Sequence, residues 1–480
     1  MCHRMQAPRV SVFWIILSTA FVFADVSHNS DFPISGLSIQ AILEPTDSNI
    51  YHHLIQSGCL ATTEQIGFPE MPYKAINFVI PANEEVTGIT INDTIRQDLG
   101  DTFFVFPTQP PRKLGDPPPE FVPPDSVAYS SNSPYPGILV EVIHTAYFSG
   151  YQIITVRLNP VQYTPAIKKL VFYSKIIFTV HTRIGVSKGV PVNRRSPIVQ
   201  ARMAKLARSL VENPEDVEGQ RKINVEQKLN ETQPLEITAL PSIEGSGVDY
   251  VIITNEELRP IFQSFADWKT KKGVISQART IEWISNNYSG CDLQEKIRNF
   301  IKDAYSYWGV GYVLLAGDTK IIPERKARGW IPSDLYYSDL EGNWNANGNN
   351  IFGEDNDDSV DLCPDLAVGR ASVETIEETN TFIAKVLTYE KNPTTDYLTK
   401  MLFMAEYEPG TTPPSPWYAE QAQLKFPNYL EGTSFPIYFG KYELYAPKDD
   451  PIGEQWFGDN FLMKDNVIDA MNSGYRLYAK

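Results

Sequence analysis

Between Pro33 and Ile184 apolar and polar positions alternate in short runs: "KAINFVIPA", "TGITIND", "ILVEVIHTAYFSGYQIITVRLNPVQY" and "KKLVFYSKIIFTVHTRIG". A period of two predicts half-buried strands. Proline-rich text such as "FPTQPPRKLGDPPPEFVPPD" separates them and suits neither a strand nor a helix interior, because proline has no N–H for either ladder. Short strands with turn punctuation predict an all-β sandwich over residues 25–185. Residues 186–247 turn charged and polar and predict a linker with one helix. Ser196 is its N-cap, Pro197 its first helical residue, and Met203, Leu206 and Leu210 share one face.

At Asp249 the rhythm changes to strand then helix. "DYVIITN" predicts a buried strand, and "EELRPIFQSFADWKTKKG" a helix with Leu258, Ile261, Phe262, Phe265 and Trp268 at helical spacing and Gly273 as its stop. "VISQAR" follows, then the helix "CDLQEKIRNFIKDAYSYWG" with Leu293, Ile297, Phe300, Ile301 and Ala304 on its apolar face. "YVLLAGD" and "DLAVGR" predict strands buried on both faces, as in parallel sheets, and a long helix runs from Thr375 to Lys391. Residues 248–393 therefore predict one α/β layer, mostly parallel and flanked by helices. Residues 394–480 open a second layer, with "YLTKMLFMAEY", a helix around Tyr418 to Leu424, another from Asp465 to Asn472, and "YRLYAK" as a later strand.

Charge and flanks narrow the setting. The net charge of −16 argues against nucleic-acid binding, which needs clustered Lys and Arg. Arg4 and Arg9, the apolar run Val10 to Ala24 and a Val22-x-Ala24 cleavage pattern make residues 1–24 an expected signal peptide. The mature protein is expected to be secreted or at the cell surface, with no integral membrane segment once the signal is removed. Cys59, Cys291 and Cys363 then remain, enough for one bridge at most.

Candidate chemistry is sparse. The loop "SDLYYSDLEGNWNANGNNIFGEDNDDSVDLCPD" holds the densest set of oxygen ligands: Asp355, Asp357, Ser359 and Asp361 alternate, and Asp334 and Asp339 lie upstream. Crowded carboxylates repel unless neutralised, so a structural Ca²⁺ is expected there, although the Gly and distal Glu of an EF-hand loop are missing. No organic cofactor is expected. Arg194 and Arg195 form a candidate processing site in an exposed segment. Cys291 starts a helix, whose dipole favours a thiolate, and Cys363 enters a strand; both are expected to be structural thiols for want of a base. His144 and His181 fall in β-runs and His52-His53 in a polar turn, with packing or exposure as their expected lot.

The ordered segments "DYVIITN...F..WK..KG", "YVLLAGDTKIIP", "SDLYYSDLEG" and "PDLAVGRASVETIEE...KVLTYEKNP" resemble the gingipain-like cysteine peptidases. The preceding β-rich region resembles the pro-domain of such precursors. The resemblance implies a caspase-like α/β fold in two related halves, the second bearing a His in a GHG-like turn and a Cys at neighbouring strand ends. It also implies bound calcium, protein or peptide substrates, and a pro-domain packed in cis on the peptidase. No histidine follows His181. The expectation is thus a secreted cysteine endopeptidase precursor whose second half is truncated, with its catalytic residues beyond Lys480 and the 480-residue chain inactive. The alternatives are a non-enzymatic exported surface or binding protein on a caspase-like scaffold, and a partly folded fragment that inhibits through residues 25–184.

Overall fold

The computed structural model describes residues 25–44, 46–110, 120–192, 195–219, 247–355, 357–392, 400–405, 440–445, 460–461, 464–472 and 476–479. The expected signal peptide and the expected helix near Tyr418 to Leu424 lie outside them. Two compact units divide between Thr379 and Asn380.

The first unit begins with antiparallel strands: β1 (Val26–Asp31), β2 (Leu37–Leu43), β3 (Ile50–Gln56), β4 (Ala61–Thr62), β5 (Pro72–Ile80), β6 (Glu84–Gly100), β7 (Val140–Phe148), β8 (Tyr151–Leu158), β9 (Val161–Thr164) and β10 (Lys169–Ile184). One sheet runs β1-β10-β6, with β9 also on β10; a second runs β4-β5-β8-β7; β2 and β3 form a hairpin. Alternation puts Phe78, Ile80, Ile154, Val156 and Leu158 of the second sheet into one core with Leu170, Phe172, Ile176, Phe178 and Val180 of β10, each at most 1% exposed. This is the expected two-sheet packing. His52 and His53 sit within β3 rather than in a turn, because Tyr51 and Leu54 on either side are core residues and carry the strand through them. Strands β7 and β8 are joined by Ser149 and Gly150, both at positive φ (53° and 82°), the two-residue turn that matches strand twist.

The expected one-helix linker, residues 186–247, carries two helices among its described residues. A short helix α1 (Ser126–Tyr129) lies in the β-domain, and after β10 come both α2 (Pro197–Leu210) and a second short helix, α3 (Asp216–Gly219). Ser196 Oγ caps α2 by accepting from Val199 N–H. The buried stripe is Val199, Met203 and Ala207, not Met203, Leu206 and Leu210; Leu206 and Leu210 are exposed. The i, i+4, i+8 stripe packs on Val79, Phe148, Tyr151 and Ile153, so α2 is physically part of the β-domain.

The α/β layer has four parallel strands in the order β12-β11-β13-β16: β11 (Tyr250–Thr254), β12 (Ser276–Thr280), β13 (Tyr312–Ala316) and β16 (Ala367–Ala371). Between β13 and β16 stands the small hairpin β14 (Arg325–Ala327) and β15 (Ile331–Ser333). Strand order runs outward from β11 to β12 and then back across it to β13. Right-handed crossovers therefore put α4 (Arg259–Lys271) on one face and α5 (Ile281–Asn287) with α6 (Leu293–Asp303) on the other. Helix α4 buries Leu258, Phe262, Phe265 and Ala266, and α6 buries Ile297, Phe300 and Ile301. Asp292 Oδ1 caps α6 by accepting from Glu295 N–H, and the helix runs into a π-helical turn, Ala304–Trp308, ended by Gly309 at φ 75°. Thr375 and Glu378 form a reciprocal capping box at the start of α7 (Ile376–Lys391).

The second unit has a parallel sheet in the order β19-β18-β17-β20, from β17 (Lys400–Ala405), β18 (Gly440–Tyr445), β19 (Asn460–Phe461) and β20 (Arg476–Ala479), with α8 (Lys464–Asn472). No helix among the described residues is long and apolar enough to cross a membrane.

Two contacts give measurable expectations. A Cβ on Gly311, ahead of β13, would lie 2.4 Å from Val199 Cγ1 of α2. Valine is stiff at χ1, so Gly311→Ala must push α2 away and is expected to cost about 1–3 kcal/mol, read as a lowered thermal midpoint with faster hydrogen exchange in α2. Asp292 also makes a two-point ion pair with Arg325, at 2.7 and 2.9 Å. Burial works against its ionisation, yet the Arg325 guanidinium and the Glu295 amide outweigh it and hold the carboxyl below its usual range. Its stabilisation is complete above the unfolded carboxyl pKa and is lost as pH falls through the depressed folded value. Asp292→Asn is expected to cost about 2 kcal/mol at neutral pH, with the gap to wild type closing in acid when thermal midpoints are compared across pH.

Candidate functional site

The chemistry-bearing residues gather in the segment between β13 and β16, which crosses the carboxyl ends of the parallel strands. Arg370 at the end of β16 fixes that crossing: its guanidinium donates to Gly317 O (2.9 Å), Ile322 O (2.7 Å) and both carboxylate oxygens of Asp334 (2.8 and 2.7 Å). Further along, Asp339 is fully buried. Its Oδ1 accepts from Gly342 N–H at 2.7 Å, and its Oδ2 from the Trp344 indole at 2.7 Å and Asp361 N–H at 3.0 Å. Gly342 is required, because a Cβ there would meet Asp339 Oδ2 at 2.1 Å. Arg298 of α6 donates to Asp339 O (2.9 Å) and Gly342 O (2.7 Å), and lies 3.8 Å from the Asp339 carboxylate.

Beside Asp339 stand Glu341 and Asp365, and one carboxylate oxygen from each of the three falls within 4.8 Å of the others. Asp365 is fully buried; its Oδ2 accepts from Leu340 N–H at 2.8 Å, and its Oδ1 has no partner. Glu341 is similar: Oε1 accepts from Val190 N–H at 2.6 Å, and Oε2 is buried without a partner. Burial holds all three carboxyls above their usual range; the neighbouring Glu341 raises Asp365 further, whereas Asp365 and the Val190 amide partly offset burial at Glu341. Nearby, burial and the Arg298 charge push Lys302 down to about 8. A buried set of carboxylates with two bare oxygens fits a hard cation, which takes oxygen ligands, rather than zinc.

The structure breaks up the expected calcium set. Only Asp339 reaches this cluster. Asp334 is held by Arg370, Asp355 pairs with Arg328, and Asp357 is exposed. Asp361 turns to the β-domain: its Oδ2 accepts from Tyr147 N–H at 2.8 Å, and its Oδ1 lies 3.7 Å from His144 Nε2. Sequence alternation measures closeness along the chain, whereas Asp334, Asp355 and Asp361 have each settled on a donor or guanidinium of their own. Glu341 and Asp365 were missed, although Glu341 stands two residues after Asp339 in "SDLEG" and Asp365 opens the strand segment "PDLAVGR".

The cluster faces a seam with the β-domain. Arg195 donates to Ser149 O (3.1 Å) and Oγ (2.6 Å), and its guanidinium lies 5.1 Å from the Tyr305 ring centroid. Arg194, its partner in the expected processing pair, lies outside the described residues. Hydrogen bonding to Asp361 raises the His144 pKa. His181 bonds Asp25 and Thr90, at 2.9 and 2.8 Å.

The cysteines are unactivated. Cys59, Cys291 and Cys363 are free thiols. Cys291 opens α6, but a hydrogen bond to Glu295, with burial, pushes its pKa up to about 11, so acidic neighbours outweigh the helix dipole. Burial pushes Cys363 up to about 11 and Cys59 up to about 12. No hydrogen bond joins a thiol to an imidazole among the described residues.

Asp339→Ala would strand the Trp344 indole, two backbone amides and Arg298 in a buried site. The expected loss is about 3 kcal/mol or more, with new cleavage inside residues 339–365 in limited proteolysis while the β-domain stays resistant.

Residues 243–479 match the model of peptidase family C25, and residues 120–204 match that of the C25 propeptide. Gingipain R2 of Porphyromonas gingivalis (strain ATCC BAA-308 / W83) is 24% identical over 355 residues, covering 73% of this chain and 40% of that protein. Gingipain R1 of Porphyromonas gingivalis is 25% identical over 355 residues, covering 73% of this chain and 30% of that protein. Among solved structures, the complex of Porphyromonas gingivalis RgpB pro- and mature domains aligns with TM-score 0.34 at 13% identity, over 40% of this chain and 93% of that one. The Arg-specific cysteine proteinase gingipain R (RGPB) aligns with TM-score 0.35 at 25% identity, over 49% of this chain and 46% of that one. The chain thus spans 40% or less of the length of these two curated relatives.

Proposed function

The chain belongs to peptidase family C25 and carries that family's propeptide, and on that premise we propose that it is the zymogen of an exported cysteine endopeptidase acting on protein or peptide substrates. The observation that carries the reading is the order of the two matches along one chain, propeptide then peptidase, with the β-domain seated on the first α/β layer. Such an enzyme attacks a peptide carbonyl with a thiolate, forms an acyl-enzyme and releases it with water, and it needs an imidazole to ionise the thiol. The matched region 243–479 contains no histidine and its two thiols are raised in pKa. The catalytic pair is therefore proposed to follow Lys480. Export is proposed on the charged and apolar pattern of residues 1–24.

Within the present residues, Asp339, Glu341 and Asp365 are proposed to hold a structural Ca²⁺. The fit rests on the bare, buried Asp365 Oδ1 and Glu341 Oε2. When bound, the cation neutralises the cluster; the chain's own part is to tie the 339–342 turn to the entrance of β16 through Leu340 N–H and Asp365. Arg195 is a poor processing point, since a peptidase would have to pull its guanidinium off Ser149 first.

The test is to express the reading frame continued past Lys480, beside the 480-residue chain. The longer product is expected to hydrolyse a peptide substrate in the presence of thiol reductant and to stop after iodoacetamide, while the shorter one is inert. A longer product with no thiol-dependent hydrolysis would overturn the reading in favour of a non-enzymatic exported protein.

A further inference from the structure

We propose that a divalent cation in the Glu341–Asp365 cluster and the strap of residues 186–192 bind cooperatively, so that loading the cation fastens the β-domain's exit segment to the α/β layer. The inference rests on the cation site proposed above and adds to it a regulatory partner, the strap.

Glu341 is the hinge of the argument because its two oxygens do different work. Oε1 accepts Val190 N–H from the strap at 2.6 Å, and Oε2 faces the cluster without a partner. Asp365 is built alike, with Oδ2 on Leu340 N–H and a bare Oδ1, and it is fully buried. Two carboxyl oxygens that face each other in a buried site cannot both stay ionised unless a cation comes between them. Oxygens within 4.8 Å suit an ion that sits about 2.3–2.6 Å from each ligand. Arg298 and Lys302 flank the cluster, but Arg298 spends its donors on the carbonyls of Asp339 and Gly342. Lys302 is left to face Glu341 and Asp365, and its burial pushes it down to about 8.

A second line joins the same two parts. Tyr147 N–H of β7 donates to Asp361 Oδ2, and Asp361 N–H donates to Asp339 Oδ2. The strap is tied to this line too, because Lys188 N–H donates to the Tyr147 hydroxyl at 3.2 Å. Both of these backbone donations from the β-domain side, Val190 to Glu341 and Tyr147 to Asp361, thus end on carboxylates of the cluster or on one bonded to it.

The sign follows from geometry. A cation on Oε2 fixes the Glu341 rotamer that presents Oε1 to Val190 N–H, so less ordering is left for that hydrogen bond to impose. The cation therefore strengthens the Val190 bond. By reciprocity the strap, which holds Glu341 in place, raises cation affinity by the same factor, and couplings of this type run about 5–150-fold.

The full 480-residue chain, stripped of metal, is titrated with CaCl₂ in equilibrium dialysis, and hydrogen exchange is followed in a peptide spanning residues 186–192. Calcium is expected to bind wild type and to slow exchange in that peptide at least fivefold. Asp365→Asn, which leaves the Val190 bond intact, is expected to lose both effects. Val190→Pro, which removes only the donor amide, is expected to bind calcium at least fivefold more weakly, and it keeps the test decisive if Asp365→Asn fails to fold. If calcium binds wild type but neither exchange nor the Val190→Pro affinity changes, the coupling is overturned and the cation site stands. If calcium accelerates exchange, the sign is wrong and the proposal falls. If no calcium binds at the cluster, the cation reading falls and takes the coupling with it.

Discussion

The buried carboxylate of Asp339 sets the arrangement of everything between β13 and β16. An anion this deep persists only where donors surround it, and here the donors are a backbone turn, an indole and the amide of Asp361, twenty-two residues further on. Meeting that one demand closes the long loop into a compact knot. Glu341 and Asp365 are brought side by side as a by-product, since Leu340 N–H follows directly on Asp339 and seeks the Asp365 carboxylate. The cluster and the seam are both downstream of this constraint.

The seam itself differs from the cores on either side of it. The β-domain is held together by stacked Phe, Ile and Val side chains, and the α/β layer by Phe262, Phe265, Phe300 and their neighbours. Between them run the Val190 and Tyr147 hydrogen bonds and the Arg195 guanidinium over the Tyr305 ring, with α2 supplying the apolar part through Val199 against Gly311. Hydrogen bonds exchange with water at small net gain, so a polar seam is easier to open than an apolar core while remaining specific in register.

Much of the fold was legible because it is written in short-range pattern. The period-two runs became the two β-sheets, the Ser196-Pro197 cap became the start of α2, and the runs "YVIIT" and "YVLLA" became the buried strands β11 and β13, whereas "AVGRA" became β16 at the end of the strand order, with Ala367 and Gly369 exposed. The buried face of α2 was misread because Leu206 and Leu210 look more apolar than Ala207, yet the close approach to the β-sheet selects the smaller side chain. The acidic site was half legible: Asp339 was singled out, whereas Glu341 and Asp365 were not. Their meeting depends on a loop closure of 24 residues that no local spacing encodes, and the salt bridges of Asp334 and Asp355 depend on arginines elsewhere in the chain.

The ownership of α2 has a consequence for the order in which the protein is made. Its buried stripe belongs to the β-domain, and residues 25–219 contain every fully buried partner in that packing, with Tyr312 of β13 adding a partly buried contact. Chains leave the ribosome N-terminus first and tend to fold domain by domain. The β-domain with α2 in place can then be finished before Tyr250 emerges, and the nascent parallel sheet, whose pairings are slow to find, meets a ready-made wall at Val199 on which to lay Gly311 and β13.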